Sequence, residues 1–216
     1  MTSDFWPLFG LKLVTRRLVL RPPTDDDFAG LLDSIDEGIH DPGTMPFSIP
    51  WTDAKGTVRR VGSVQHWWSQ RASWSVDDWH LGMAVFDAGR PVGVQSLIGK
   101  HFQVLKEVST GSWLTASAQG QGFGREMRAA VLQLAFEGLG AEIARSAAFL
   151  DNPASQAVSR AIGYRENGRH REAPRGVPKE ILAYELTREG WEEASRAFEP
   201  AEIVGLDKCI HMFFGS

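Results

Sequence analysis

A segment of closely spaced glycines in the second half of the chain carries the clearest chemical signal. Gly120, Gly122 and Gly124 follow a β-rich run and precede an amphipathic helical pattern, in the sequence TASAQGQGFGREM. A helix start presents backbone N–H groups without intrahelical partners and the positive end of the helix dipole, so anions bind there. Glycine lets the backbone approach a pyrophosphate closely and adopt positive φ. The segment predicts a phosphate-binding loop, with Arg125 as an added cation; a plain glycine-rich turn is the alternative.

Two familiar phosphate-binding motifs fit this segment poorly. A P-loop requires Lys and then Ser or Thr directly after its last glycine, whereas Arg125 and Glu126 follow Gly124 here. A dinucleotide fingerprint lies near the first strand of a βαβ unit, whereas these glycines lie past the middle of the chain, after a predicted antiparallel meander. Binding of ATP or NAD is therefore a less favoured interpretation than binding of another phosphorylated cofactor.

A second segment, DNPASQAVSRAIGY, predicts a helix with polar groups at its start. Asn152 is a preferred N-cap residue, Pro153 suits the first helical position, and Gly163 suits the C-terminal end. Ser155 falls in the first turn, near the positive end of the dipole, where its hydroxyl would protonate or hydrogen-bond a departing anion. The alternative is an ordinary helix-start serine.

The elements around these two segments alternate in type. A strand is followed by two helices, three antiparallel strands, a helix, a strand, a helix and the last strands. The predicted strands are 17–21, 79–86, 91–98, 107–114, 142–149 and 180–186, and the predicted helices begin near residues 25, 53, 123 and 153. This order indicates a mixed α+β domain. We expect one domain over residues 1–187, with 188–216 as a C-terminal helical piece and tail packed on it.

Composition restricts the class of protein. The 216 residues are 43% hydrophobic and 23% charged, which is typical of a folded globular chain. The formal net charge of −4 argues against nucleic-acid and anionic-membrane partners. No apolar run is long enough to cross a bilayer, and the N-terminal stretch lacks the features of a secretory signal. Cys209 is the only cysteine, so we expect no internal disulfide and a cytoplasmic location.

The glycine segment resembles a known cofactor loop. The run QGQGFG, from Gln119 to Gly124, is similar to the acyl-CoA pyrophosphate loop (Gln/Arg-x-x-Gly-x-Gly/Ala) of the GCN5-related N-acetyltransferases, the GNAT superfamily. The preceding GSWLTASAQ and the later DNPASQAVSRAIGY resemble the subgroup of RimJ/RimL-type acetyltransferases. The resemblance extends from about Arg16 to Leu186, which is most of the chain.

The resemblance implies a GNAT fold. Such a fold has a central mixed, mostly antiparallel sheet flanked by helices, in which two parallel central strands splay apart to form the acyl-CoA cleft. Here those strands would be 109–115 and 143–149, and the pantetheine arm would pair with a free strand edge. The residues expected to contact the cofactor are Trp113, Leu114, Thr115, Gln119, Gly120, Gln121, Gly122, Phe123, Gly124, Arg125, Asn152 and Ser155.

The resemblance also implies an acyl-CoA-dependent N-acyltransferase. A primary amine on a small molecule, a peptide or a protein N-terminus would attack the thioester of acetyl-CoA, or of another acyl-CoA, directly. Backbone N–H groups near Leu114 would stabilise the oxyanion, and Ser155 would lie near the sulfur. Succinyl is a second acyl group to consider, because Arg71, Arg90, Lys100 or Arg169 would neutralise its carboxylate. The alternative function is a non-catalytic acyl-CoA-binding or sensing module, and a homodimer is left open.

The acceptor amine must be neutral before it attacks. A lysine-type ammonium has a pKa of about 10.4 and an α-amino group about 8, so a base is required. Glu107 and His80 are the candidate catalytic bases, with His101 as a third candidate; solvated strand ends are the alternative. Ser109 and Thr110 stand where the RimJ/RimL pattern commonly has an acidic residue.

Large apolar residues in the Gly/Pro-rich segment 36–52 suggest where the acceptor binds. Phe47 and Trp51 lie in the part of the chain that borders the acceptor site in this family, so we expect them to line a substrate pocket. The alternative is that they only pack the loop down. Metal ligation is not expected, because the six histidines lack metal-ligand spacing and cysteine support is absent.

Overall fold

The computed structural model describes residues 5–215. Met1–Asp4 and Ser216 lie outside the described residues, as do the outer ends of the segments predicted as 1–187 and 188–216. The strands are β1 (Lys12–Val14), β2 (Leu18–Arg21), β3 (Asp78–Asp87), β4 (Arg90–Lys100), β5 (Glu107–Leu114), β6 (Ile143–Phe149), β7 (Arg165–Glu172), β8 (Lys179–Thr187) and β9 (Glu202–Val204). The helices are α1 (Phe28–Asp36), α2 (Gly56–Ala72), α3 (Phe102–Leu105), α4 (Phe123–Gln133), α5 (Pro153–Ala161), α6 (Arg188–Ala194), α7 (Leu206–Cys209) and α8 (His211–Phe214).

The strands form one open sheet in the order β7-β8-β6-β5-β4-β3-β2-β1-β9. The pair β5–β6 is parallel, and the other neighbouring strands pair antiparallel. The predicted fold class, a mixed and mostly antiparallel sheet flanked by helices, is confirmed. The parallel pair arises because α4 carries the chain from the end of β5 back to the start of β6.

The predicted β3–β4 hairpin has a two-residue turn with a clear backbone signature. Asp87 pairs with Arg90, and the intervening Ala88 and Gly89 have φ of +46° and +81°. Positive φ at both central positions is the turn geometry that matches the right-handed twist of paired strands. The turn fixes the register of the first pairs, Asp87–Arg90 and Phe86–Pro91, and a bulge then shifts the register by one residue from the pair Val85–Gly93 onward.

The helices cover both faces of the sheet. On one face α1 and α2 pack through a cluster that includes Phe28, Leu31, Trp67 and Phe86. On the other face α4 belongs to a larger core with α6, the C-terminal segment and the inward side chains of the central strands. Each helix buries one apolar stripe. On their face of the sheet α1 and α2 pack on β4 and β3, whereas Ser109 and Gly111 of β5 and Ala147 of β6 are exposed there.

The C-terminal segment adds an edge strand to the sheet. β9 pairs antiparallel with β1, with Lys12 opposite Val204. Between α6 and β9, Phe198 stacks on Trp191, which in turn stacks on Phe136 beyond α4. The sequence predicted a tail packed on the domain but not this strand. In residues 5–215, the helices are too short or too polar to cross a membrane.

Candidate active site

The two parallel strands separate after three residue pairs. β5 and β6 pair only at Glu107–Ser109 with Ile143–Arg145. Beyond that point β5 continues along β4 as far as Leu114, and β6 continues along β8 as far as Phe149. Because each strand follows its other neighbour, a wedge-shaped cleft opens between them. Within the described chain, residues 110–114 have no strand partner on the cleft side.

The backbone of β5 presents donors to this cleft. Thr115 donates its N–H to the Val92 carbonyl on the β4 side, at 2.8 Å. Successive amides of a strand face opposite edges, so the N–H of Leu114 faces the cleft. Trp113 belongs to the same unpaired stretch, and its ring lies on the α1/α2 face. By the same alternation the N–H groups of Trp113 and Thr115 face β4, so of the three residues predicted to meet the pantetheine arm only Leu114 presents its N–H to the cleft.

The glycine loop follows β5 and leads into α4 at the open end of the cleft. Gly120 and Gly122 have φ of +73° and +84°, a region that L side chains rarely adopt, and Gly122 is the N-cap of α4. Gly124 has a different constraint: a Cβ there would lie 3.4 Å from Val158 of α5. The three glycines therefore shape the helix start and allow α4 to pack closely on α5.

The side chains of Gln119, Gln121 and Arg125 in the loop contact other groups of the protein. Gln119 donates to the carbonyls of Ile39 and Leu114, at 2.6 and 3.0 Å. Gln121 donates to the Ser117 carbonyl at 2.7 Å. Arg125 packs over the Phe198 ring and lines a cavity of about 760 Å³ between α4 and the C-terminal segment, on the side of α4 away from the cleft. The glutamine side chains thus stabilise the loop rather than point outward from it.

Sequence reasoning missed the residues that brace this loop. Arg17 donates to both Glu126 (Nε to Oε2, 2.8 Å) and the Gln121 carbonyl (2.9 Å), and it covers the Phe123 ring. Thr15 donates to the other Glu126 oxygen at 2.6 Å. Burial alone would raise the pKa of Glu126, but these hydrogen bonds hold it below its ordinary value. The sequence gives no indication of these contacts, because Thr15 and Arg17 are about 110 positions from Glu126.

The start of α5 forms as the sequence predicted. The Asn152 side-chain oxygen accepts the N–H of Ser155 at 3.1 Å, and Pro153 occupies the first turn. Gln156 donates to the carbonyls of Phe149 and Leu150, which ties the helix to the end of β6. Ser155 is half-buried beside the cleft. The cap uses one lone pair of the Asn152 oxygen, so the amide nitrogen and the second lone pair of the oxygen are left to contact a ligand.

The first two candidate bases, Glu107 and His80, have very different surroundings. Glu107 accepts two hydrogen bonds from Arg145 (2.8 and 3.0 Å), and Arg145 also donates to Glu185. The Arg145 guanidinium holds the pKa of Glu107 below its ordinary value, so this carboxylate is a weak base. It lies at the closed end of the cleft, where β5 and β6 are still paired.

His80 is an electrically neutral group at neutral pH. Its Nε2 lies 2.9 Å from the Ser96 hydroxyl and 3.3 Å from the Gln70 amide nitrogen. Burial, with a smaller contribution from the neighbouring His66, lowers the pKa of His80 to about 4. The imidazole is therefore available to accept a proton, through Ser96, on the α1/α2 face of the sheet. The pKa of His80 is low, however, compared with the pKa of the ammonium that it would deprotonate.

An aromatic row borders the open end of the cleft on the same face. Phe47 lies 5.3 Å from Trp51, and Trp51 lies 6.2 Å from Trp113, as measured between ring centroids. Ile49, in contrast, is 75% exposed, so only part of segment 36–52 packs down. Phe47 and Trp51 thus form a wall between the α1–α2 connection and β5.

Two polar contacts link this wall to the far side of the cleft. Arg175, in the turn between β7 and β8, donates to both carboxylate oxygens of Asp53, with Nε 2.7 Å from Oδ2. Lys179 approaches the Met45 carbonyl at 3.3 Å and pairs with Asp151 at 2.6 Å. Since β8 lies beside β6, these contacts join the segment carrying Phe47 and Trp51 to the β6 side. We call them the cleft bridge.

Within residues 5–215, no group of three or more His, Cys, Asp or Glu side chains converges in a way that would hold a metal ion. The polar groups described around the cleft are backbone amides, hydroxyls, the neutral imidazole of His80 and the positive ends of α4 and α5.

A sheet whose parallel strands splay beside a glycine loop at a helix start defines a class of acyl-CoA-dependent acyltransferases. The sequence matches the family model "Acetyltransferase (GNAT) domain" over residues 17–165, more than half of the chain. The chain belongs to the GNAT acetyltransferase family and is an acyl-CoA-dependent N-acyltransferase. The family predicted from the loop Gln119–Gly124 is confirmed.

Solved structures with the same fold include members of the RimJ/RimL group. Mycobacterium smegmatis RimJ, in complex with CoA-disulfide, is 19% identical, with a TM-score of 0.67 over 95% of this chain and 94% of that chain. RimL, a ribosomal L7/L12 α-N-protein acetyltransferase in complex with coenzyme A, is 18% identical, with a TM-score of 0.62 over 81% and 96%. A ribosomal-protein-serine acetyltransferase described from Vibrio cholerae is 22% identical, with a TM-score of 0.63 over 82% and 97%. At these identities the likeness concerns the fold.

Proposed function

We propose that the protein binds acyl-CoA along the free edge of β5 and transfers the acyl group to a primary amine by direct attack. The observation that carries the proposal is the cleft between β5 and β6, which opens beside the start of α4. An extended pantetheine arm fits such an edge as an added strand would, through backbone hydrogen bonds. Acetyl is the acyl group we favour, and succinyl is the second.

We assign the cofactor contacts to the residues around the cleft. The pyrophosphate would bind on residues 119–125, where the amides of the first turn of α4 and the dipole favour an anion. Trp113, Leu114 and Thr115 would lie along the pantetheine arm, and Asn152 would reach it through its side-chain amide. Ser155, in the first turn of α5, would lie near the sulfur.

The reaction requires attack by a neutral amine, stabilisation of the oxyanion, and a group that accepts the proton of the amine. The neutral amine nitrogen attacks the thioester carbonyl carbon, a C–N bond forms, and the C–S bond breaks with its electron pair on sulfur. The N–H of Leu114 would stabilise the oxyanion during attack. His80, acting through Ser96, is the proton acceptor that we prefer to Glu107, because Glu107 is held by Arg145.

The acceptor would enter on the α1/α2 face, past Phe47 and Trp51. An apolar wall with few charges suits the carbon chain of an amine, on a small molecule, a peptide or a protein N-terminus. Of the arginines considered for a succinyl carboxylate, Arg71 pairs with Asp25 and Arg90 pairs with Glu37. Neither is free to serve the cleft, so a succinyl carboxylate would depend on Lys100 or Arg169, and acetyl remains the acyl group that we propose first.

Four further features belong to the same proposal. We place the catalytic domain at residues 1–187, with 188–216 packed on it, and the pairing of β9 with β1 supports this close association. The transfer uses no metal. The protein would act in the cytoplasm, in keeping with the single buried Cys209. A homodimer is the oligomer we would test first.

Thermal denaturation with acetyl-CoA, succinyl-CoA, free CoA, ATP and NAD tests the proposal. A ligand at a hundred times its dissociation constant adds about 2.7 kcal/mol, which raises the midpoint of a chain of this size by roughly 5 to 10 °C. We expect a shift with the CoA species only, and the acyl-CoA with the larger shift selects the donor for a mass-spectrometric screen of primary amines. A shift with ATP or NAD but with no CoA species would overturn the proposal.

A further inference from the structure

A buried arginine joins the two separating strands on the α4 side of the cleft. Arg128, on α4, is 4% exposed. It donates from Nη2 to the Ser112 hydroxyl of β5 at 3.0 Å, and from Nη1 to the Ser146 hydroxyl of β6 at 3.0 Å. Nη1 also lies 3.4 Å from the Ser159 hydroxyl of α5. One guanidinium thus connects β5, β6 and α5 where the cleft opens.

This guanidinium has hydroxyls but no carboxylate around it. In residues 5–215 the ion pairs do not include Arg128, and its Nε has no hydrogen-bond partner. Burial lowers the pKa of Arg128, but an arginine starts so high that it stays protonated. A buried charge without a counter-charge is costly, and the fold retains this one directly beneath the cleft. An anion in the cleft would relieve that cost.

The hydroxyl of Ser112, polarised by the Arg128 charge, can donate a hydrogen bond into the cleft. A hydroxyl has one hydrogen to donate and two lone pairs to accept with. Since the oxygen of Ser112 accepts from Arg128, its own hydrogen is left to donate, and a charged neighbour strengthens that donation. Ser112 is half-buried and lies in the stretch of β5 that β6 leaves unpaired. Ser155 lies one turn before Ser159 on α5, hence on the same helix face.

The other ionisable groups nearby do not compensate the charge. Tyr164 is buried, with its hydroxyl 3.5 Å from Thr110, and burial raises its pKa, so the phenol is neutral. Tyr184, on β8, is buried on the same face, and burial raises its pKa as well. Glu107, Arg145 and Glu185 are neighbours of one another at the paired start of β5 and β6, and they hydrogen-bond among themselves.

We propose that Arg128, acting through Ser112, stabilises the thiolate of CoA as it leaves the acyl group. The inference rests on the proposed function. When the C–S bond breaks, sulfur takes the electron pair, and the Ser112 hydroxyl donates to it; the amine proton leaves through the base, and the thiolate later takes a proton to give free CoA. Arg128 is a positioning residue in this step, and Ser112 is the group that contacts sulfur.

Ultraviolet titration of the CoA thiolate bound to the full-length protein tests this directly and needs no acceptor. We expect the thiol of bound CoA to titrate at least one pH unit below free CoA in the same buffer, a tenfold change in the thiolate-to-thiol ratio. Arg128→Met and Ser112→Ala should return the titration toward that of free CoA, and Arg128→Lys should fall between. Arg160→Gln is the matched control, because Arg160 on α5 is exposed and pairs with Glu166; it should titrate as the wild type does.

Calorimetric binding of CoA separates the two levels of the proposal. If the wild type binds no CoA, the proposed function fails and the inference fails with it. If CoA binds but its thiol titrates as in free solution, or if Ser112→Ala titrates as the wild type, only the inference is overturned. Ser112→Ala decides the matter even where Arg128→Met does not fold, because it leaves the guanidinium and its other two hydroxyls in place.

Discussion

Arg17 and Glu126 lie 109 positions apart in sequence, yet a hydrogen bond of 2.8 Å joins them. The pair ties the turn between β1 and β2 to the first turn of α4. Arg17 also holds the Gln121 carbonyl, so one side chain fixes both the helix start and the loop before it. The geometry of the glycine loop thus depends on a residue at the other end of the domain.

Replacing Arg17 should loosen the loop more than it destabilises the fold. Arg17→Met keeps the carbon chain over Phe123 but removes the charge; the side chain is 42% exposed, so we expect a loss of about 1 kcal/mol and a midpoint 2 to 4 °C lower. CoA affinity should fall as well, because the Gln121 carbonyl loses its donor. Calorimetry compares the CoA affinity of Arg17→Met with that of Arg16→Met, which removes a neighbouring charge. Equal CoA affinity in the two variants would contradict this role of Arg17.

A pair of glycine substitutions isolates the function of the loop from backbone strain. Gly120 and Gly168 both have positive φ, +73° and +104°, and a Cβ at either position meets no atom within 4 Å. Gly120→Ala and Gly168→Ala should therefore cost similar stability. Only Gly120→Ala places a methyl group where the pyrophosphate would approach. We expect it alone to lose most of the acyl-CoA-induced thermal shift, and a full shift in this variant would remove the loop from the binding site.

Local signals explain why this loop was visible in the sequence. Positive φ at Gly120 and Gly122 and the cap at Asn152 depend on residues within a few positions, and both features form as predicted. The helix α2 shows the limit of periodicity. Its pattern of valines and tryptophans predicts a buried stripe, but Val58 is 73% exposed and Trp68 is 50% exposed, while Trp67 is buried. Which side chain meets the sheet depends on how the helix docks.

Long-range pairings gave no sequence signal. β9 has only three residues, and it forms because β1 offers it an edge. Arg128 reads as one more polar position on an amphipathic helix, and only the fold brings three serines from different elements around it. Side-chain clusters assembled in this way, by residues remote from one another, are the part of the site that spacing alone does not reveal.

His80 should make the stability of the protein depend on pH between about 4 and 6.5. Its pKa is about 4 in the folded chain and near 6.5 in the unfolded chain, so the unfolded chain binds more protons within this window. Stability therefore rises with pH through the window, by about 3 kcal/mol for this one group, and is fully present above pH 6.5.

Denaturant unfolding of His80→Gln across this pH range measures the effect. The slope of stability against pH should become shallower in that variant, although His66, whose pKa burial also lowers, leaves a residual slope. Ser73→Ala, at an exposed position that carries no titratable group, is the control and should keep the wild-type slope. A His80→Gln profile parallel to the wild type would show that the imidazole is not held neutral.

The bridge between Asp53 and Arg175 should control exchange of the cofactor. Both side chains are partly exposed, so salt screens their attraction. Asp53→Asn and Arg175→Gln should each release CoA faster than the wild type, and the release rate should respond less to ionic strength. Stopped-flow displacement at two salt concentrations measures both. The exposed pair Asp33–Arg60 provides the control, since Asp33→Asn removes a similar pair from the far side of α1 and α2; equal rates in all three variants would exclude a gating role.

A variant of Ser155 can test catalysis and CoA binding separately. The Ser155 hydroxyl lies at the positive end of α5, whereas the bond to the Asn152 cap is made by the backbone N–H of Ser155. Ser155→Ala therefore keeps the helix start intact. If the hydroxyl assists the departing thiolate, kcat should fall roughly 10²-fold or more while CoA affinity changes little. Steady-state kinetics with the best amine from the screen, and calorimetry with CoA, measure the two quantities. Ser73→Ala, an exposed serine at the end of α2, is the control. Unchanged turnover in Ser155→Ala would transfer the role to Ser112, whose polarised hydroxyl lies on the opposite wall of the same cleft.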